Sequence, residues 1–253
     1  MKSLINSKSL GALSVTGKDA SSFLQGQATC DINEVVEQKG QLGAFCNPKG
    51  KVISIFVITR MEEGFLLILP KAILSKVQEL LEQYKLRAKV EISEISEIEN
   101  VPIIKFLQPT TVRTPWILPE TSEQFIPQAL KLDEIGAVSF TKGCYTGQEI
   151  VVRTHYLGEV KRQLNLALCE PSASVEPNSS IIDENGEKVG SVLLAQVRGI
   201  PRKVKDSITD EVETVSVNKM VILCVLNTEV TNSTLRLDNA MREILKIVGG
   251  RKS

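Results

Sequence analysis

The stretch from Leu42 to Pro70 is dense in β-branched and aromatic residues and is broken twice, at Asn47-Pro48-Lys49-Gly50 and at Glu62-Glu63-Gly64. Runs of strand formers parted by turn formers predict three antiparallel strands joined as a meander. A meander this apolar needs cover, and the next segment supplies it. Ile73, Leu74, Val77, Leu80, Leu81 and Tyr84 follow i, i+3, i+4 spacing, which predicts an amphipathic helix. Leu86–Ile92 then alternates apolar with charged residues, as a half-buried strand does. Upstream, Ala20, Phe23 and Leu24 at helical spacing before Gly26 predict a short first helix. Strands and helices mixed in this antiparallel manner predict an α+β architecture.

The chain has 253 residues, enough for one large core or two to three small ones, and its 42% apolar and 24% charged content is that of a soluble globular protein. Thirty basic residues balance thirty acidic ones. No global field therefore exists to hold nucleic acid or an anionic membrane, and no strong direct nucleic-acid binding is expected. The N-terminus lacks the apolar run of a signal peptide and no stretch nears the length of a bilayer span, so a cytoplasmic location without a membrane partner is expected. Five scattered cysteines, at 30, 46, 144, 169 and 224, fit reduced thiols better than a disulfide framework. With His155 as the single histidine, no metal or cluster site is expected from the chain alone. His155 reads as a local hydrogen-bonding residue. No P-loop or G-x-G-x-x-G fingerprint points to nucleotide chemistry. Nothing argues for an obligate oligomer, and a monomer is the default.

Val101–Pro127 carries five of the ten prolines and the only tryptophan, Trp116, and predicts an extended irregular connection. Trp116 reads as core filler or as a stacking surface. Pro127 and Gly136 read as the start and stop of a helix holding Ala129, Leu130, Leu132 and Ile135. Beyond Leu164 the texture changes to short strands, with Asp183-Glu184-Asn185-Gly186 as a hairpin turn. Residues 166–253 read as a small β-barrel or sandwich, and the polar run Arg202–Lys219 as a long mobile loop.

The chemistry concentrates in Lys142-Gly143-Cys144-Tyr145-Thr146-Gly147-Gln148-Glu149, a thiol between two glycines with a lysine beside it. The apolar pair Ile150-Val151 that follows predicts a packed helix, which sets Cys144 near its N-terminus. Helix dipole, free N–H groups and Lys142 would all favour a thiolate there. Cys144 with Lys142 is thus the candidate catalytic pair. The alternative is a buried small hydrophobe in a glycine-cornered turn.

These residues, with Phe125-Ile126-Pro127-Gln128-Ala129, Leu132-Asp133 and Gly136–Phe140 before them and Arg153 and Lys161-Arg162 after, resemble the signature of the YgfZ-type folate-binding proteins. That family is a branch of the superfamily typified by the glycine-cleavage aminomethyltransferase, or T-protein. Phe23-Leu24-Gln25-Gly26-Gln27 with Thr29 and Asp31, then Phe45–Lys51, and Tyr84–Arg87 are similar too. The resemblance implies two α+β subdomains within 1–165 and a C-terminal β-barrel over 166–253, arranged around a central channel for tetrahydrofolate. It also implies a role in the assembly or repair of iron–sulfur clusters, including those of tRNA-modifying enzymes as protein clients, with Cys144 as the motif cysteine in a redox or cluster-maintenance role.

A folate needs an apolar slot, a polar edge and cations for its tail. Gln148 and Glu149 are candidates for the edge, Arg153, Lys161 and Arg162 for the tail, and Tyr145 for stacking or a hydrogen bond. In the aminomethyltransferases the turn matching Asn47–Gly50 runs on to a pair of aspartates, where this chain has Ser54 and Ile55. Neither can serve as a carboxylate, which argues against ordinary aminomethyl transfer. A one-carbon transferase using Asp31 or Glu149 instead is the alternative.

Overall fold

The structure, a computed structural model, describes residues 7–95, 114–171, 175–205, 212–230, 234–238 and 244–248. They fall into two compact units, within 1–163 and 164–253.

The first unit is built on a fully antiparallel five-stranded sheet, β2-β3-β4-β1-β5. Its strands are β1 (Leu10–Thr16), β2 (Gln41–Cys46), β3 (Val52–Met61), β4 (Gly64–Pro70) and β5 (Glu91–Ile95). The meander expected from sequence is β2-β3-β4, with its turns at the two predicted breaks. β3 is buried from Val52 to Thr59 on both faces, which is why its sequence is mostly apolar at successive positions rather than alternating, with Ser54 and Thr59 as buried polar residues. Phe45 and Phe56 pack at 4.4 Å between ring centroids inside this core. Helix α1 (Ala20–Gln25) buries Ala20, Phe23 and Leu24, and α2 (Leu74–Lys85) buries Leu74, Val77 and Leu81.

The strand expected at 86–92 begins later, at Glu91. Leu86 takes φ +46 at the end of α2, and Lys89 is tied instead to Asp19, its N–H donating to the carboxylate at 2.8 Å. Residues 101–113 of the proline-rich connection lie outside the described residues. The rest of it is irregular apart from a short 3-10 turn at Pro119–Thr121, and Trp116 is fully buried as core. The helix expected from Pro127 to Gly136 is only a 3-10 turn, Pro127–Leu130, because Lys131 adopts a left-handed conformation (φ 56°, ψ 32°) that no right-handed helix can continue through. A third helix, α3 (Gln148–Leu157), follows the octapeptide.

The second unit is a closed six-stranded barrel, β10-β11-β6-β9-β8-β7. Its strands are β6 (Arg162–Cys169), β7 (Ser180–Ile182), β8 (Lys188–Lys205), β9 (Val212–Asn227), β10 (Leu235–Leu237) and β11 (Ile244–Val248). Met220, Ile222, Cys224 and Leu226, alternate residues of β9, belong to its core with Ala167, Ile181 and Val192. The predicted turn at Asp183–Gly186 joins β7 to β8, and Asp183 accepts the N–H groups of Asn185 and Glu187, each at 2.9 Å. The expected loop at Arg202–Lys219 is instead mostly ladder. β8 and β9 pair without a break from Leu194↔Leu223 to Lys205↔Val212, and residues 206–211 lie outside the described residues. Among the described residues no helix is long and apolar enough to cross a membrane.

Candidate functional site

Three sequence motifs far apart in the chain meet at one place in the first unit. The 23–31 motif first builds a compact turn. Gln25 donates from Nε2 to Asp31 Oδ1 at 2.9 Å and accepts the Ile32 N–H on Oε1 at 2.8 Å. Thr29, fully buried, donates to Ala137 O at 2.7 Å and accepts the Ala44 N–H at 2.9 Å. The turn leaves three carbonyls, of Gln25, Ala28 and Cys30, pointing at one spot. Lys142 fills it: its ammonium donates to all three, at 2.8, 2.7 and 2.8 Å. An ammonium has three N–H donors, so this group is saturated. Burial pulls its pKa from the ordinary 10.5 down to about 8. The ammonium also lies 5.3 Å from the Tyr145 ring centroid, a cation–π contact.

The other end of the motif is held as firmly. Tyr145 is buried, and burial raises its phenol pKa above the ordinary range. The Thr146 N–H donates to Gly26 O at 3.3 Å and its hydroxyl to Gln27 Oε1 at 3.2 Å. Gly147 has φ +83 and sits against the Asn47 carbonyl where no Cβ would fit, and a Cβ on Gly50 would lie 2.8 Å from that of Ile150. These two glycines let the N-terminus of α3 press onto the 47–50 turn. Gln128 locks it from below, donating to Val151 O at 2.6 Å.

Residues 142–147 thus form an arch pinned at both feet, and Cys144 stands exposed between the pins. The other four cysteines are buried. Burial pushes Cys30, Cys46 and Cys224 up to about 12, which keeps them as thiols at neutral pH. Of the two readings open from sequence, the structure gives Cys144 the exposed one. Lys142, the charge expected beside it, is fully engaged by the 25–30 turn.

The remaining candidates divide. Glu149 and Arg153 pair with each other across one turn of α3, at 3.1 Å on an exposed face, and Gln148 is the first residue of that helix. Lys161 and Arg162 instead line a cleft of about 290 Å³ with Lys51, Gln124, Phe125, Ile126, Ala129, Glu159 and Val160. Lys51 had not been singled out by sequence reasoning, although it ends the Asn47–Lys51 motif. Asn47 fixes it: the Asn47 side chain accepts the Lys51 N–H at 3.0 Å, and the Asn47 N–H donates to Lys51 O at 2.9 Å. The same side chain donates to Glu123 at 2.9 Å, whose carboxyl is held below its ordinary pKa by Lys76. His155 stacks on Phe140 at 3.8 Å and lies 4.0 Å from Asp133. At the position of the aspartate pair, Ser54 and Ile55 are fully buried, and the Ser54 hydroxyl donates to a backbone carbonyl.

The family model of the GCVT N-terminal domain matches residues 2–108. A tRNA-modifying protein YgfZ from Colwellia psychrerythraea is 30% identical over 258 aligned positions, covering 75% of this chain and 80% of that protein. One from Vibrio atlanticus is 29% identical, covering 61% and 66%. Among solved structures, the glycine cleavage system aminomethyltransferase T of Bartonella henselae superposes with a TM-score of 0.63 at 12% identity, over 95% of this chain and 83% of that one, which shows a shared fold. The extent of these sequence matches, with the T-protein-like fold in agreement, places the chain in the YgfZ family, within the superfamily of the glycine-cleavage T-protein.

Proposed function

We propose that this chain is a tetrahydrofolate-binding accessory protein that supports the assembly or repair of iron–sulfur clusters, including those of enzymes that modify tRNA. The observation that carries the reading is the presentation of Cys144. It is the one exposed thiol among five cysteines, and it stands on an arch whose flanking residues are fixed by buried and half-buried hydrogen bonds. A thiol held that way suits a brief encounter with another molecule's sulfur or iron, since it reaches the partner without first ordering a loop. One thiolate falls short of the ligand set of a stable cluster, so the role assigned to it is maintenance rather than carriage. The relatives' designation as tRNA-modifying proteins supports clients in that pathway.

The cleft fits part of a folate. Phe125, Ile126, Ala129 and Val160 offer apolar wall, Gln124 and Glu159 hydrogen-bonding groups, and Lys51, Lys161 and Arg162 cations for carboxylates. When bound, tetrahydrofolate supplies a reduced, easily oxidised pterin, and the chain's part is to hold and orient the ligand. Tyr145 and Lys142 serve the arch, and Gln148, Glu149 and Arg153 form the surface beside the thiol that a client would meet. Ser54 and Ile55 provide no carboxylate for aminomethyl transfer.

The test is tRNA thiolation and methylthiolation in cells lacking their own family member and carrying this chain or its Cys144→Ser variant. The wild type is expected to restore modification. The variant, although it folds, is expected to lose most of it. Full restoration by the variant would remove the thiol from the account.

A further inference from the structure

We propose that the Gln25–Cys30 turn is a recognition site for a primary ammonium group, which the chain fills with its own Lys142, and that a free amine of matching length takes the place of that side chain when it is removed.

The socket is built by the turn and not by the lysine. Helix α1 runs out into it through the Gln27 and Ala28 N–H groups, which donate to Leu24 O at 3.0 and 2.9 Å. The Thr29 N–H donates to Ala44 O at 2.9 Å, and the Gln25 side chain closes the loop through its bonds to Asp31 and the Ile32 N–H. None of these bonds involves Lys142. The carbonyls of Gln25, Ala28 and Cys30 therefore keep their convergence without it, and their desolvated oxygens call for a donor.

The shape of the socket selects the occupant. Three neutral carbonyl oxygens stand at 2.8, 2.7 and 2.8 Å from one nitrogen, which matches the three N–H donors of an –NH3+ group at ordinary hydrogen-bond lengths. Those lengths exceed the roughly 2.0–2.1 Å of magnesium and the roughly 2.3–2.6 Å of calcium, and both ions also want carboxylates. A guanidinium spreads its donors in a plane over several nitrogens and has no single nitrogen that offers three. Burial opposes the charge in the socket, while the Asp31 carboxylate and the face of the Tyr145 ring, 5.3 Å from the nitrogen, support it.

A small molecule has a way in along the path of the lysine stem. The bond to Gln25 O is only part-buried, and a Cβ on Gly143, the next residue, would meet nothing within 4 Å. Capture of the charge makes Lys142 a positioning residue for Cys144. One foot of the arch is held by an ammonium in its socket, the other by the neutral hydrogen bonds of Thr146 to Gly26 and Gln27.

The experiment is amide hydrogen exchange across residues 142–148 of the full chain at neutral pH, in wild type, Lys142→Ala and Lys142→Arg. Propylammonium replaces, atom for atom, what Lys142→Ala removes. Propanol has the carbons without the charge, and tetramethylammonium has the charge without an N–H. Exchange in Lys142→Ala is expected to be at least about tenfold faster than in wild type, and to return to within about twofold of it with saturating propylammonium but with neither control. Lys142→Arg is expected to exchange as fast as Lys142→Ala. Equal protection by propanol, protection in Lys142→Arg, or no protection by the amine in the folded Lys142→Ala variant would overturn the proposal. Wild type supplies a reading that does not depend on how a variant folds. Side-chain NMR of its lysines is expected to show one ammonium whose protons exchange at least about tenfold more slowly than those of the others, and lysines that all exchange alike would overturn the proposal too.

Discussion

At the scale of single residues, Lys142 illustrates how a motif position works through its backbone partners. Its three hydrogen bonds join the octapeptide to a turn more than a hundred residues earlier in the chain. Lys142→Met keeps the aliphatic stem and removes the donors, leaving the carbonyls of Gln25, Ala28 and Cys30 unpaired. At about 1 kcal/mol or more for each unpaired carbonyl, the loss is about 3 kcal/mol, measured by urea unfolding. The pH dependence has a definite sign. The folded pKa of about 8 lies below the ordinary 10.5, so between those values the unfolded chain binds more protons than the folded one. Unfolding free energy therefore rises with pH across that window. The difference between wild type and Lys142→Met, which carries no titrating group there, is expected to grow from pH 8 to 10.5. A flat difference would mean that the three carbonyls keep the ammonium charged throughout. The sequence showed a lysine beside a cysteine but not the lysine's partners, because backbone carbonyls leave no signature in residue type.

At the scale of elements, the legible parts were those bounded by strong turn residues or patterned by a single buried helical face. The β2-β3-β4 meander follows from its turn residues and β-branched runs, and α2 from its apolar spacing. The β8–β9 ribbon did not. Its outer part, with Arg198, Arg202, Lys203, Lys205 and Glu213 in the paired strands, is polar enough to read as a loop, and only the cross-strand ladder reveals it. The Pro127–Leu130 turn was read as too long a helix because Ala129, Leu130, Leu132 and Ile135 keep helical spacing through a residue that does not keep helical dihedrals. That residue offers a test. Lys131 holds φ 56° and ψ 32°, where glycine has no Cβ penalty. Lys131→Gly is expected to raise stability by about 0.5–1 kcal/mol in chemical denaturation, whereas the same change inside a right-handed helix lowers it by a similar amount.

At the scale of the whole molecule, the family's motifs are divided between two tasks. Those at 23–31, 47–50 and 142–149 build and brace the arch that displays Cys144, while Lys51, Phe125, Ile126, Lys161 and Arg162 wall the cleft. The resemblance in sequence ran through the segments that carry both sets, although it did not single out Lys51, and it implied the α+β-plus-barrel fold. It did not separate them, because Arg153 and Glu149 stand in sequence between the thiol and the cleft cations yet pair with each other. The two tasks separate experimentally as well. The most direct measurement is an anaerobic calorimetric titration with tetrahydrofolate of the wild type, Cys144→Ser and the Lys161→Gln/Arg162→Gln double variant. Saturable one-to-one binding is expected in the wild type, unchanged in Cys144→Ser and at least about tenfold weaker in the double variant, which loses two charge-assisted contacts. Failure of the folded wild type to bind, or binding indifferent to the loss of both cations, would contradict a folate site in the cleft.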